Sequence, residues 1–147
     1  MSGLTDIEKH FVKETTKKLY NHPLCNIFRQ PVRPEIDGAI DYLDIVKNPM
    51  DLGSIIEKID QNKYTSTKEW ADHLFLVWDN AKLYNNDKKS IIYIIADKMS
   101  KKSQKMLSLI PKNEYEKWIL DMVENQKKII KTTKKPIDDS IFPYKAY

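Results

Sequence analysis

Asp41-Tyr42-Leu43-Asp44-Ile45-Val46-Lys47-Asn48-Pro49-Met50-Asp51-Leu52, then a helix-length segment, then Leu83-Tyr84-Asn85: this stretch decides the fold. Pro49 marks a turn, and Asp51 behind it can cap a short helix carrying Leu52, Ile55, Ile56 and Ile59, which stops near Gln61-Asn62. Ser66-Thr67-Lys68-Glu69 then has the spacing of a capping box, in which a hydroxyl and a carboxylate three residues on satisfy the free amides of a first helical turn. Behind it Trp70, Leu74, Val77, Trp78 and Ala81 keep helical spacing as far as Tyr84, and Asn85-Asn86-Asp87-Lys88-Lys89 forms a polar turn.

Working outward, Thr5-Asp6-Ile7-Glu8 has the same capping-box spacing. The helix it opens sets Leu4, Ile7, Phe11, Val12 and Leu19 on one stripe and ends at His22-Pro23. From Pro23 to Met50 no period persists, and five Pro or Gly residues interrupt the segment. A loop of that length in a compact domain is functional or disordered, and its many aliphatic and aromatic side chains favour packing. On the other side Ser90 can cap a helix with Ile91, Ile94, Ile95, Met99, Met106, Leu107 and Ile110 as its stripe, running up to Pro111. The expected fold class is all-α: a left-handed up-and-down four-helix bundle over residues 5–110 with a long loop between helices 1 and 2. An appended basic amphipathic helix is expected over 111–135 and a tail over 136–147.

Composition narrows the function. The chain has 147 residues, enough for one ordinary domain with its own core, and only three are Gly. Cys25 is alone, so no disulfide framework or Cys-based zinc site is expected, and a reducing compartment fits. No apolar run approaches the roughly 18 residues of a membrane span, and Met1-Ser2-Gly3-Leu4 does not open a signal sequence. The expected location is the cytosol or nucleus. His10, His22 and His73 lie on different segments without ligand spacing, no phosphate-binding loop or nucleophile motif occurs, and neither cofactor, metal nor catalytic activity is expected. Residues 1–97 hold 13 basic and 15 acidic side chains, whereas residues 98–147 hold 12 and 6. The basic C-terminal portion could favour nucleic acid or an acidic partner.

The Tyr42, Pro49-Met50-Asp51 and Asn85 pattern resembles that of the bromodomain family, and the resemblance covers residues 5–110. It implies a nuclear binding module that reads acetylated lysine on a histone H4 or H3 tail or another chromatin protein, with a role in transcription regulation. By that resemblance Asn85 donates its amide to the acetyl carbonyl and Tyr42 contacts the acetyl oxygen through an ordered water. Phe28 packs near the methyl, Pro31 and Val32 line the wall, Tyr84 lines the site and Ile91 guards the entrance. The physical problem is to accept a neutral amide and refuse an ammonium. A mostly apolar slot with one amide at its floor does both, because an unpaired charge entering it loses hydration worth several kcal/mol. Taken alone, Asn85 reads as a helix C-cap and Tyr42 as a core tyrosine.

The chain departs from the family pattern at Asn26-Ile27-Phe28, where many members have Trp-Pro-Phe, and at Asp37-Gly38-Ala39, where many have two leucines. A wider, wetter slot of low affinity is the expectation. Glu35, Asp37, Asp41 and Asp44 give the loop an acidic rim, which Lys88 and Lys89 oppose from the other lip. An alternative function is DNA or protein-partner binding through the basic C-terminal helix. A further possibility is that Trp118, Ile119, Met122 and Val123 form a docking stripe, in a dimer or a larger parent chain. The expected state is otherwise monomeric, with no membrane partner.

Overall fold

The structure is a computed structural model that describes residues 3–133, all of whose regular secondary structure is helical. Helix α1 (Asp6–Tyr20) opens with the expected reciprocal box: Thr5 Oγ1 accepts from the Glu8 N–H at 3.3 Å, and the Glu8 carboxylate accepts from the Thr5 N–H at 2.9 Å. Pro23 then starts a 3-10 helix (Pro23–Phe28), and a four-residue α2 (Tyr42–Ile45) precedes the Pro-Met-Asp turn. The long loop thus contains two short helical pieces where sequence periodicity predicts none. Neither is long enough to register a period, and successive short-range bonds such as Tyr42 N–H to the Ala39 carbonyl satisfy their backbone.

Helix α3 (Leu52–Asp60) is capped by Asp51, whose Oδ2 accepts from the Ser54 N–H at 2.9 Å. Helix α4 (Thr67–Tyr84) is capped by Ser66 through the Glu69 N–H, but the Glu69 carboxylate reaches back to Thr65 rather than Ser66. Helix α5 (Ile91–Leu107) follows Ser90, which makes no side-chain cap bond, and it stops three residues short of Ile110.

Helices α1, α3, α4 and α5 form a bundle around Trp70, Trp78, Leu19, Leu52, Ile55, Leu74 and Met99, all fully buried. The stripe expected on α5 is kept in part: Met99 is buried and Ile95, Met106 and Leu107 pack against the core, but Ile91 and Ile94 are 74% and 52% exposed, and Ala96, Ser100 and Ser103 are buried instead. The reason lies on α4: the Trp78 indole is wide, and a small-residue face lets α5 approach it while Ser103 Oγ accepts from Trp78 Nε1 at 3.0 Å. Thr16 serves Trp70 in the same way, accepting from its Nε1 at 2.9 Å while donating to the Val12 carbonyl. Polar residues on these helices are therefore part of the core.

A second, smaller cluster joins the loop to the end of α4: Ala39, Tyr42 and Val46 pack with Val32 and Tyr84. Gly53, in the first turn of α3, approaches the end of the 3-10 helix so closely that its N–H donates to the Arg29 carbonyl at 3.1 Å. A Cβ there would lie 2.5 Å from that oxygen.

The chain divides between Ile110 and Pro111 into two compact units. Of the second, the structure describes helix α6 (Glu114–Thr133), none of whose residues is buried. The tail expected over 136–147, with Lys134 and Lys135, lies outside the described residues. No described helix is long and apolar enough to cross a membrane.

Candidate functional site

Between the loop and the adjoining ends of α4 and α5 lies a cavity of about 790 Å³. Its placement follows from the elements described above. The 3-10 helix carries Phe28 onto the core, where its ring meets Trp78 edge-on at 5.2 Å. The smaller cluster sets Tyr42 against Tyr84, ring centroids 5.1 Å apart. Phe28, Pro31, Val32, Tyr42, Tyr84 and Asn85 all line this cavity. Ile91 does not; the side chain lining it there is Ile92, one position on. The rotation of α5 that buries Ala96 and Ser103 also turns Ile91 outward, something spacing from Asn85 along the chain does not register.

Asn85 occupies the C-cap of α4, and its Nδ2 donates to the Ala81 carbonyl at 3.0 Å. The cap reading and the site reading are therefore compatible: an amide NH2 carries two protons, and the cap bond uses one. Tyr42 is buried, and burial, followed by the nearby Asp51 carboxylate, raises its pKa, so its hydroxyl stays protonated. Tyr84 donates to Asp41 Oδ1 at 2.8 Å, and this bond, with lesser desolvation, raises its pKa too. The tie to Asp41 fixes the Tyr84 ring that forms one face of the pair.

Asn80 escaped the sequence reading. It is buried in α4, and its Nδ2 donates to the Asn48 carbonyl at 2.7 Å, fastening the Pro49-Met50-Asp51 turn to the helix that ends at Asn85. A signal for it exists: an Asn on the apolar stripe three residues after Val77 must find a partner once buried.

The atypical loop residues are in the wall. Asn26, Ile27, Asp37, Gly38 and Ala39 line the cavity. Gly38 takes φ +71°, a left-handed conformation that favours glycine. Asp37 is tied locally, accepting from the Arg33 N–H at 2.7 Å with its other oxygen 3.9 Å from the Arg33 guanidinium. Arg29 and Arg33 share the lining, so the rim is mixed in sign rather than simply acidic. Arg29 is held by its Nε bond to the Tyr20 carbonyl at 2.6 Å and lies over the Tyr20 ring.

Other chemistries find little support among the described residues. Cys25 is buried and its thiol is pushed up to about 11, chiefly by desolvation, which keeps it protonated and a poor nucleophile. His22 caps the 3-10 helix through the Leu24 N–H, and His73 Nδ1 lies 2.9 Å from the Tyr64 hydroxyl. No described cluster of His, Cys, Asp and Glu could hold a metal ion.

Comparison with known proteins agrees with this geometry. A bromodomain family model matches residues 12–98. The chain is 40% identical over 78 residues to the human ATPase family AAA domain-containing protein 2B, covering 53% of this chain and 5% of that protein. It is 38% identical over 73 residues to SAGA complex subunit Spt7 of Schizosaccharomyces pombe, covering 50% and 7%. With transcription factor GTE1 of Arabidopsis thaliana it shares 31% identity over 123 residues, covering 84% of this chain and 28% of that one. The chain thus spans only a small part of the length of each of these relatives. The matched segment takes in both halves of the cavity wall, and on it the chain belongs to the bromodomain family, a family of acetyl-lysine-binding modules.

Proposed function

We propose that this chain binds acetylated lysine on a histone H4 or H3 tail, or on another chromatin protein, in the cavity beside Asn85. The observation that carries the reading is the meeting, in one recess, of Phe28, Val32, Tyr42 and Tyr84 with a half-buried amide that retains donor capacity after capping its helix. The second Asn85 amide proton donates to the acetyl carbonyl, and the protonated Tyr42 hydroxyl contacts the same oxygen through a bridging water. The acetyl methyl rests toward Phe28, with Pro31 and Val32 along the alkyl stem. In this scheme Ile92, rather than Ile91, closes the α5 side.

Selectivity follows from desolvation. A lysine ammonium entering this wall gives up hydration worth several kcal/mol, and the two carboxylates of the lining are already engaged, Asp37 accepting from the Arg33 N–H and Asp51 from the Ser54 N–H. The acetylated side chain gives up an amide's smaller hydration and regains a hydrogen bond. The reading places the protein in the nucleus, working in transcription regulation; one relative, GTE1, is itself a transcription factor.

The test is calorimetric titration of wild type and Asn85→Ala with a multiply acetylated H4 tail and its unmodified twin. Binding that requires both the acetyl groups and Asn85 is the expected result. Equal binding by Asn85→Ala would leave Asn85 a cap only and overturn the assignment. The structure gives a nucleic-acid interface along α6 little support. Within that helix Lys117, Lys127, Lys128 and Lys131 are matched by Glu114, Glu116, Asp121 and Glu124, and Lys117 and Lys128 pair with Asp121 and Glu124 at 3.6 and 3.8 Å.

A further inference from the structure

Helix α5 turns a row of lysines to solvent. Lys98, Lys101, Lys102 and Lys105 are all exposed, and at 100° per residue they fall within one stripe about 100° wide. The same stripe carries the exposed Ile91 and Ile94. The lysines therefore begin about 9 Å along the helix from Ile92, which lines the cavity. Asp97 is the sole acid of α5, and it pairs with Lys101 at 2.7 Å. Among the described residues Lys98, Lys102 and Lys105 have no ion pair.

Forces within the helix do not account for this row. Only Lys105 stands in the last turn, where the helix dipole favours a cation, and Lys98 is at mid-helix. Lys98 and Lys102, and likewise Lys101 and Lys105, are four residues apart, so each couple is a like-charge pair that weakens the helix. The surroundings add cations rather than acids. Burial lowers the His22 pKa, and Lys102 and then Lys98 lower it further. Burial pushes the Cys25 thiol up to about 11, and the charges opposing that rise are Arg29 and Lys102. At the N-terminal end of the row a recess of about 320 Å³ is lined by Lys88, Tyr93, Ile94, Asp97, Lys98 and Lys101, which brings Lys88 from the preceding turn onto the same face.

We propose that the outward face of α5 is a contact surface for duplex DNA, on which Lys88, Lys98, Lys102 and Lys105 neutralise backbone phosphates without reading sequence. Lysine is a compact point charge on a flexible stem and suits phosphate contacts that carry no base recognition. From Lys98 to Lys105 the row is about 10 Å long, and a duplex presents about six phosphates over that length whatever its sequence. An acidic peptide would need carboxylates spaced to match. Phosphates on this face also relieve the repulsion that the lysines impose on one another. A duplex lying there runs beside the cavity, next to an acetylated tail held at Asn85; this consequence, unlike the surface itself, rests on the acetyl-lysine reading.

The experiment is fluorescence anisotropy of the full chain with a labelled mixed-sequence duplex of roughly 20 base pairs across a salt series. Four phosphate contacts give a slope of about −3.6 in log affinity against log salt, so a fourfold rise in salt weakens wild-type binding roughly 150-fold. Lys98→Gln combined with Lys102→Gln leaves two contacts, and the slope is expected to fall to about −1.8. Both side chains are exposed, and unchanged circular dichroism shows that this variant remains folded. Lys127→Gln combined with Lys131→Gln removes the same charge from α6 and is expected to keep the wild-type slope. No duplex binding by wild type at low salt, a wild-type slope in the Lys98 and Lys102 variant, or an equal loss in the α6 variant would each overturn the proposal. Tighter binding of a poly-glutamate peptide than of the duplex would overturn it too and assign the face to an acidic protein.

Discussion

Gly53→Ala sets two opposed effects against each other at the junction that holds the cavity wall. Alanine is the better helix former and by propensity alone stabilises a helix by about 0.5–1 kcal/mol over glycine. At this position its Cβ would lie 2.5 Å from the Arg29 carbonyl oxygen and 3.1 Å from Asp51 Oδ2, the atom that caps α3. The first contact is with backbone, which cannot rotate away, so the 3-10 helix must retreat. Forcing an extra methyl into packed structure costs about 1–3 kcal/mol, and losing the bond from the Gly53 N–H to Arg29 costs about 0.5–1.5 kcal/mol more. Sterics win, leaving a net destabilisation of about 2 kcal/mol. Urea denaturation followed by the fluorescence of buried Trp70 and Trp78 measures it directly. Retreat of Arg29 also drags Phe28 from Trp78, so acetyl-peptide affinity should fall at urea-free conditions where the protein remains folded. A Gly53→Ala midpoint equal to or above wild type would refute the reasoning and show that the 3-10 helix accommodates the methyl freely.

Three further outcomes are expected. Asn85→Ala should lower the melting temperature by a few degrees as well as remove acetyl-peptide binding, because the side chain also bonds the Ala81 carbonyl; a net bond of about 1 kcal/mol corresponds to roughly 4 °C in a domain of this size. Ser103→Ala leaves the buried Trp78 indole N–H without its acceptor and should destabilise by about 1–3 kcal/mol in the same urea assay, whereas an exposed Ser108→Ala should change little. The His73 pKa is held below its ordinary value, chiefly by burial and then by Lys58, against the opposing Glu69 and Asp72 carboxylates. The unfolded chain therefore takes up the proton first, at about pH 6.5, and the folded state follows at lower pH. This contribution to stability is full above about pH 6.5, is lost as pH falls toward the folded pKa, and levels off below it; His73→Gln should remove that part of the slope in a series of urea midpoints.

Much of the bundle was legible because its helices are announced locally. Thr5, Asp51 and Ser66 all cap where a side-chain oxygen stands the right number of residues before an amide, and α4 ends at Asn85 where its stripe runs out. Ser90 shows the limit of that logic: the residue type is right, yet its side chain makes no cap bond. The short helices in the loop were illegible because a 3-10 turn and a four-residue α-helix are too brief to display a period. Asn80 was missed because an Asn in a helix reads as solvent-facing until its partner is known.

What the sequence determined by itself is the all-helical class, the helix starts that depend on caps, and the family to which the Tyr42 to Asn85 pattern belongs. These rest on interactions within three or four residues, or on residue identities that need no geometry. The tertiary structure alone decided that α5 buries Ala96 and Ser103 while Ile91 faces outward, that Thr16 belongs to the core, and that Asn80 fastens the Asn48 turn. The bonds responsible join residues 25, 54 and 32 positions apart, from Trp78 to Ser103, Trp70 to Thr16 and Asn80 to Asn48. Hydrophobic periodicity reports which side chains avoid water. It does not report which indole needs an acceptor, and at these positions that need set the rotation of a helix and the wall of the cavity.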